Sequence, residues 1–320
     1  MKLFTSIPPR FSRKHSQTGE ETGPHYLERC VNSWRANGFD PVSINRPEEA
    51  GTIRASGLID VIEASQQDAL VPDRYGPSLG SIFDAAPRNA PFAIVNADIY
   101  MRPGAAGTDL AHDIAGRTRK TVLVSRRTDV AHLDALQGTV YACGIDFVAL
   151  DPSRIPEVIK DADLRRFQLG VPWWDYVLPL AALKHMPAKR IEEPFILHQT
   201  HDERWNPEIY TSVVPQAYRV LQRYDAQVAA VSPTSKRFAA DLSRVCHETL
   251  LFDPGLPVTT LPLEKSSLRV EVHEPKRKHK AKIVRELSRV INQCINLQRR
   301  LMKRISLHSF AIIPLFVFLV

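Results

Sequence analysis

The sequence predicts an α/β sandwich, a mixed and mostly parallel sheet covered by helices on both faces. Runs such as Phe92-Ala-Ile-Val95 and Thr121-Val-Leu-Val-Ser125 are almost wholly apolar, whereas a strand with one wet face would alternate. Helical stretches fall between such runs. Of the 320 residues 44% are hydrophobic and 24% charged, which suits a large core and is far too apolar for a disordered chain. The four cysteines, Cys30, Cys143, Cys246 and Cys294, form no C-x-x-C pair, which argues against a zinc ribbon or a disulfide scaffold.

In chain order, Lys2 to Ile7 is a β-type run stopped by Pro8-Pro9. A helix is expected from Pro24 to Asn37, with proline in its first turn and Gly38 just past its end. Pro41 to Ile44 and Leu58 to Ile62 read as short strands, and Pro77 to Ala86 as a helix. Phe92 to Val95 and Thr121 to Ser125 are buried strands, and Tyr141 to Leu150 is a further one bent at Gly144. Helices are expected near Trp174–His185, Pro207–Tyr224 and Ser235–Cys246. Residues 9–23 and 46–57 read as loops, the first carrying Arg10, Arg13 and Lys14.

Positive charge is concentrated at one end. From residue 261 onward 13 Lys and Arg face 4 Asp and Glu, which leaves 29 against 31 for the rest. A near-neutral body, 1–260, is thus expected to carry a basic tail, 261–320, with Pro254, Pro257 and Pro262 at the boundary. Ile283, Leu287, Val290, Cys294, Leu297 and Leu301 form one helical stripe flanked by basic residues. The chain ends in an apolar run from Phe310, interrupted by Pro314. Its eleven residues would cover about 16 Å as a helix, too short to span a bilayer. An interfacial anchor fits, with residues 276–320 lying on an anionic membrane surface; packing on the body or dimerisation is the alternative. No aromatic residues interleave with the basic cluster, so nucleic acid is not an expected partner. The N-terminus has no apolar run of signal-peptide length, so the expected place is cytoplasmic, peripheral at the inner face of the cell membrane.

The stretch richest in chemistry is Asn96-Ala97-Asp98, met directly after a buried strand. Ligands of open α/β sheets gather where strands end, so Asp98 is placed to hold a hard divalent cation, or simply to close a turn. Asp146 lies inside an apolar run, where an unpaired carboxylate is costly, so a partner is expected.

Four segments in order resemble bacterial glycosyltransferases of the GT-A type, the nucleotide-diphospho-sugar transferases. They are Phe4-Thr-Ser-Ile-Pro-Pro-Arg10, Asn96-Ala-Asp-Ile99, Gly144-Ile-Asp-Phe147 and Pro172-Trp-Trp-Asp175, within roughly residues 1–215. The resemblance implies a GT-A-like three-layer sandwich that moves a sugar from a nucleotide-diphosphate donor to a glycan or lipid-linked acceptor, as in cell-surface polysaccharide synthesis. It places Thr5, Ser6, Ile7 and Arg10 near the donor's base or diphosphate. Asp98 stands at the metal-gripping position for Mn²⁺ or Mg²⁺, while Asn96 replaces the motif's first carboxylate and is matched to sugar or ribose. His198 or His201 matches a further metal ligand; the pair also reads as a transition-metal site of its own with Asp202 and Glu203, or as surface histidines without a ligand. Arg127, beside Arg126 after the strand ending at Ser125, is expected to face the diphosphate, or the two form a solvated loop pair. Trp173 and Trp174 offer faces to sugar rings, and Asp175 is the candidate base of an inverting reaction; the same residues also suit a core anchor and a helix start. The other reading is a non-catalytic GT-A-like module that binds without turnover, prompted by Asn96. For the tail, the full chain should pellet with anionic liposomes while a chain ending near residue 260 stays in solution; equal pelleting removes the anchor.

Overall fold

Successive residues of the central strands fall into two different cores, which is why helices must cover both faces. In the computed structural model, Phe92 and Ile94 join one hydrophobic cluster while Ala93 and Val95 join the other. The structure describes residues 1–13, 21–64, 68–74, 76–142, 144–201, 206–253, 255–265 and 267–272. The strands are β1 (Lys2–Thr5), β2 (Asp40–Asn45), β3 (Asp60–Glu63), β4 (Phe92–Val95), β5 (Tyr100–Met101), β6 (Val122–Ser125), β7 (Arg127–Val130), β8 (Gln137–Val140), β9 (Phe147–Leu150), β10 (Ala188–Ile191), β11 (Ile196–Gln199), β12 (Val258–Thr259) and β13 (Arg269–Val272). The helices are α1 (Gly23–Ala36), α2 (Pro47–Ala55), α3 (Leu79–Ala85), α4 (Leu110–Thr118), α5 (Pro156–Lys160), α6 (Trp174–Leu183), α7 (Pro207–Tyr224), α8 (Ala226–Ala229) and α9 (Phe238–His247), the last running into a π-helical turn, Glu248–Phe252.

The larger sheet has 8 strands in the order β12-β10-β6-β9-β4-β1-β2-β3. Neighbours pair in parallel except around β9, which is antiparallel to both β4 and β6. Helices α3, α6, α7 and α9 supply one core, with Phe83, Val177, Val213 and Leu242; α1 and α4 supply the other, with Val31, Trp34 and Ile114. The chain is a mixed α/β protein with a mostly parallel sheet between helical layers, as the apolar strands predict. A second sheet of 5 strands, β13-β8-β7-β11-β5, stands apart from it.

Some expectations change. Residues 46–57 hold α2, started by Pro47 in its first turn with Glu48 and Glu49 beside it; only Ala50 and Ile53 of its apolar residues are buried, too few to show a period. Of the strand expected over Tyr141–Leu150 only Phe147–Leu150 is strand, and Tyr141 instead bonds through its N–H to Arg127 O at the end of the smaller sheet's β7–β8 pairing. The compact unit runs Met1–Val272, so residues 261–272 close the body, with β13 on the edge of the smaller sheet. The tail from residue 273, with its amphipathic stripe and apolar end, lies outside the described residues. Among the described residues no helix is long and apolar enough to cross a membrane.

The approach to α6 is held by an unusually close backbone contact. Leu79 N donates to Phe167 O at 2.6 Å and Leu169 N to Pro77 O at 3.0 Å. Gly76 adopts φ of 104°, and a Cβ there would lie 1.9 Å from Leu169 O, so no other residue fits without backbone movement. Gly76→Ala should therefore lower stability by about 1–3 kcal/mol in denaturant titration; an unchanged midpoint shows that this contact does not hold the approach.

Candidate functional site

The carboxyl ends of β4 and β6 and the amino end of β9 meet at one edge of the larger sheet. After β4 the chain turns through Asn96–Ile99, with Ile99 N donating to Asn96 O. Helix α1 fixes that turn from outside. Tyr26 donates its hydroxyl to Asp98 O at 2.7 Å, and Trp34 Nε1 donates to Ile99 O at 2.7 Å. Gln199 N donates to the same Tyr26 hydroxyl at 3.1 Å, so one tyrosine ties the turn to the end of β11.

That tie brings three sequence-predicted ligands together. His198 Nε2 lies 3.2 Å from Asp98 Oδ2 and His201 Nε2 lies 3.6 Å from it, and the three ligand atoms all fall within 4.8 Å of one another. Asp98 keeps 27% of its side chain exposed. Burial acts against its charge, but hydrogen bonds from His198 and His201 and the nearby Arg13 outweigh it and hold the carboxyl well below the usual range.

Behind His198 runs a line of charges. Its Nδ1 meets Asp129 Oδ1 at 2.9 Å, across the parallel β7–β11 pairing that sets His198 opposite Asp129. Burial favours a neutral His198, yet Asp129 and Asp98 raise its pKa. Arg127 Nε donates to Asp129 Oδ1 at 2.8 Å, and its Nη1 lies 3.5 Å from both Asp146 oxygens. The Arg127 guanidinium also stacks 4.2 Å from the Tyr141 ring centroid. Asn96 Nδ2 donates to Asp146 Oδ1 at 2.6 Å. Asn96, expected to meet sugar or ribose, is thus engaged with Asp146, which finds the partners its apolar setting demanded.

Asp175 opens α6 next to this line. Its Oδ2 accepts from Ile145 N at 3.3 Å. Burial and the charge of Asp146 push its carboxyl up to about 7. The residue that starts the helix, Trp173, is held at φ of 86°, a strained conformation for a bulky side chain, with its indole donating to Tyr210 O at 3.1 Å. Trp174, expected to offer a ring face to a sugar, is a core residue here: Trp173 and Trp174 are 1% and 3% exposed, because large apolar rings beside a helix start are buried first.

On the β1 side, Thr5 is buried with its Oγ1 unpartnered, Ser6 is half-buried, and the buried Ile7 bonds through its backbone to Ser43 and Asn45. Arg10 is exposed. The arginine that reaches Asp98 is instead Arg13, which is 3% exposed. Its Nη2 lies 3.5 Å from Asp98 Oδ2, its Nη1 donates to Gln199 O, and its guanidinium sits 4.0 Å from the Tyr26 ring centroid. Gly23 makes room for this, since a Cβ there would meet Phe11 O at 2.3 Å and Arg13 N at 2.8 Å. Sequence reasoning noted Arg13 only as a loop residue and missed Tyr26 and Asp129. The alternation in Arg127-Thr-Asp-Val130, which sets Arg127 and Asp129 on one strand face, was the available signal for Asp129.

The donor set suits a divalent cation. Ligands about 2.1 Å from a metal stand roughly 3.0–3.4 Å apart at octahedral or tetrahedral angles, close to the 3.2 and 3.6 Å observed. Asp129 on Nδ1 leaves the Nε2 lone pair free to ligate.

No family model and no curated protein sequence matches the chain. Among solved structures, it is similar to the inositol-1-phosphate CTP transferase from T. maritima (13% identity, 67% of this chain and 95% of that one, TM-score 0.33). It is also similar to a UDP-glucose pyrophosphorylase complexed with UDP-glucose (11% identity, 70% and 97%, TM-score 0.31). A third is a Bacillus anthracis protein assigned as a glucose-1-phosphate thymidylyltransferase (11% identity, 74% and 98%, TM-score 0.36). These neighbours are nucleotidyltransferases, and overlaps this loose leave the chemistry of the present site to its own residues.

Calorimetric titration with Mn²⁺ should detect binding that Asp98→Ala and His198→Ala abolish. Asp129→Asn keeps all three ligands and should weaken it by about 10–100-fold. Undiminished binding in Asp98→Ala removes the triad as the metal site.

Proposed function

We propose that the chain is an inverting glycosyltransferase that moves a sugar from a nucleotide-diphosphate donor to a hydroxyl of a glycan or lipid-linked acceptor. The observation that carries this reading is the pairing, at one sheet edge, of the Asp98–His198–His201 triad with the weakly acidic Asp175. A divalent cation on the triad would neutralise charge gathering on the leaving diphosphate.

The chain's own residues supply the rest. Arg13, fixed by Gln199 and Tyr26, brings a second positive charge to the Asp98 side, where a diphosphate needs it. The acceptor oxygen attacks the anomeric carbon as the bond from that carbon to the diphosphate oxygen breaks. The acceptor proton passes to Asp175, and the bonding pair leaves with the diphosphate. A carboxyl near 7 is matched to that task at neutral pH, since it is substantially ionised yet still basic. Asp146 maintains it, and Asn96 and Arg127 hold Asp146 in place. An aspartate at position 96 would set two carboxylates 2.6 Å apart. The contact gives the asparagine at this position a role compatible with catalysis.

The test is release of nucleoside diphosphate from UDP-, GDP- and dTDP-sugars by the full chain with Mn²⁺. Asp98→Ala and Asp175→Asn should each cut it about 100-fold or more while the fold survives. Activity requires ionised Asp175, so the rate should rise with pH through an apparent pKa near 7. Asp146→Asn removes a like charge and should move that rise to lower pH by about one unit. Full activity in Asp98→Ala overturns the reading. Pyrophosphate release from a nucleoside triphosphate and a sugar 1-phosphate would identify nucleotidyl transfer instead, and metal-dependent donor binding without turnover a binding module.

A further inference from the structure

Two hydrogen-bond donors near α6, one buried and one half-buried, have no role in the chemistry above. His247, at the end of α9, is 8% exposed and its Nε2 has no hydrogen-bond partner. Its Nδ1 lies 3.5 Å from the Tyr176 hydroxyl, one residue along α6 from Asp175. With the hydroxyl donating to Nδ1, the ring proton sits on Nε2, which is then a donor left unsatisfied. A donor left so out of water is costly, and a buried donor of this kind calls for an acceptor.

Arg126 is the second. It follows β6 and is half-buried, and its guanidinium makes no hydrogen bond or ion pair among the described residues. Its charge reaches His247: burial first, then Arg126, pushes that imidazole down to about 4, so it stays neutral at physiological pH. Arg190, on the neighbouring β10, adds a third cation, its Nη1 donating to Leu251 O in the π-helical turn. Among the described residues the acid whose charge reaches Arg126 is Glu192, and it is engaged 3.2 Å from Arg190 Nε. The alternation of β6 and β10 sets Arg126 and Arg190 on the face of Val124 and Ala188, the face that α6 and α9 cover.

We propose that Arg126 and the Nε2–H of His247, backed by Arg190, form an oxyanion-binding subsite beside Asp175 that takes a phosphate or carboxylate of the acceptor. The assignment to the acceptor rests on the glycosyltransferase reading. The donor's diphosphate is assigned to the Asp98 triad, whereas this second cationic group lies along α6, the helix that Asp175 opens. An acceptor anchored here by its anion would present a neighbouring hydroxyl to Asp175. An arginine fork and a neutral N–H together suit a singly or doubly charged oxyanion better than a neutral sugar.

The test uses the full chain and inorganic phosphate as probe. The His247 ring resonances, assigned by their loss in His247→Gln, should shift saturably as phosphate is added, and the ring's pKa should rise from about 4. Arg126→Gln should weaken that response about tenfold or more; if this variant does not fold, Arg126→Lys, which keeps charge without the fork, takes its place with a smaller loss. Pyrophosphate and glucuronate, compared in the same way, separate a lipid-linked phosphate from an acidic sugar as the source. Resonances that stay fixed at tens of millimolar of all three overturn the proposal, as does an equal response in Arg126→Gln. Calorimetric Mn²⁺ titration of a phosphate-free sample, with the nucleoside diphosphate release assay, reads the Asp98 triad and the transfer separately, so failure of the subsite and failure of the transfer reading are distinguishable.

Discussion

Charges of alternating sign lie in contact from the edge of the larger sheet into the smaller one, and the arrangement of the site depends on that sequence of contacts. Asn96 holds Asp146, Arg127 stands between Asp146 and Asp129, and His198 joins Asp129 to Asp98. Charges taken this far out of water are tolerated only when each finds its opposite, because removing one partner leaves the next exposed to a low dielectric. Position 96 is neutral and position 127 cationic for the same reason. The line has one open end, at Asp98, where side-chain surface remains accessible.

Asp175 stands outside the line and feels only its repulsive member. Two aspartates at the same edge therefore take opposite characters, Asp98 an anion at all ordinary pH and Asp175 a weak acid. Neighbours set the difference: imidazoles and a guanidinium on one side, a like charge and burial on the other. The left-handed Trp173 fits this picture, since strain tolerated at the start of α6 fixes where Asp175 begins the helix.

How much of this was legible in the sequence depends on the residue. Phe92–Val95 and Pro207–Tyr224 stand where the sequence puts them, because an unbroken apolar run and a proline-led amphipathic pattern each leave little alternative. The strands of the smaller sheet were harder to read, since half-buried segments such as Gln137–Val140 carry no strong alternation. Asp98, His198 and His201 were named in advance, but nothing in one dimension sets residues 100 apart at 3.2 Å. Arg13 escaped because its significance is purely spatial, while the alternation of Arg127-Thr-Asp-Val130 sets Asp129 beside Arg127 without pointing to His198. The paired tryptophans misled in the opposite way: a motif that suggests sugar stacking is, for a large apolar ring, equally a motif for burial.

The edge strand β13 is joined to this arrangement. It pairs with β8, β8 with β7, and β7 carries Asp129. The chain leaves the compact body at Val272, the last residue of that strand. The last strand of the body and the carboxylate that orients His198 therefore belong to one hydrogen-bonded sheet, two pairings apart.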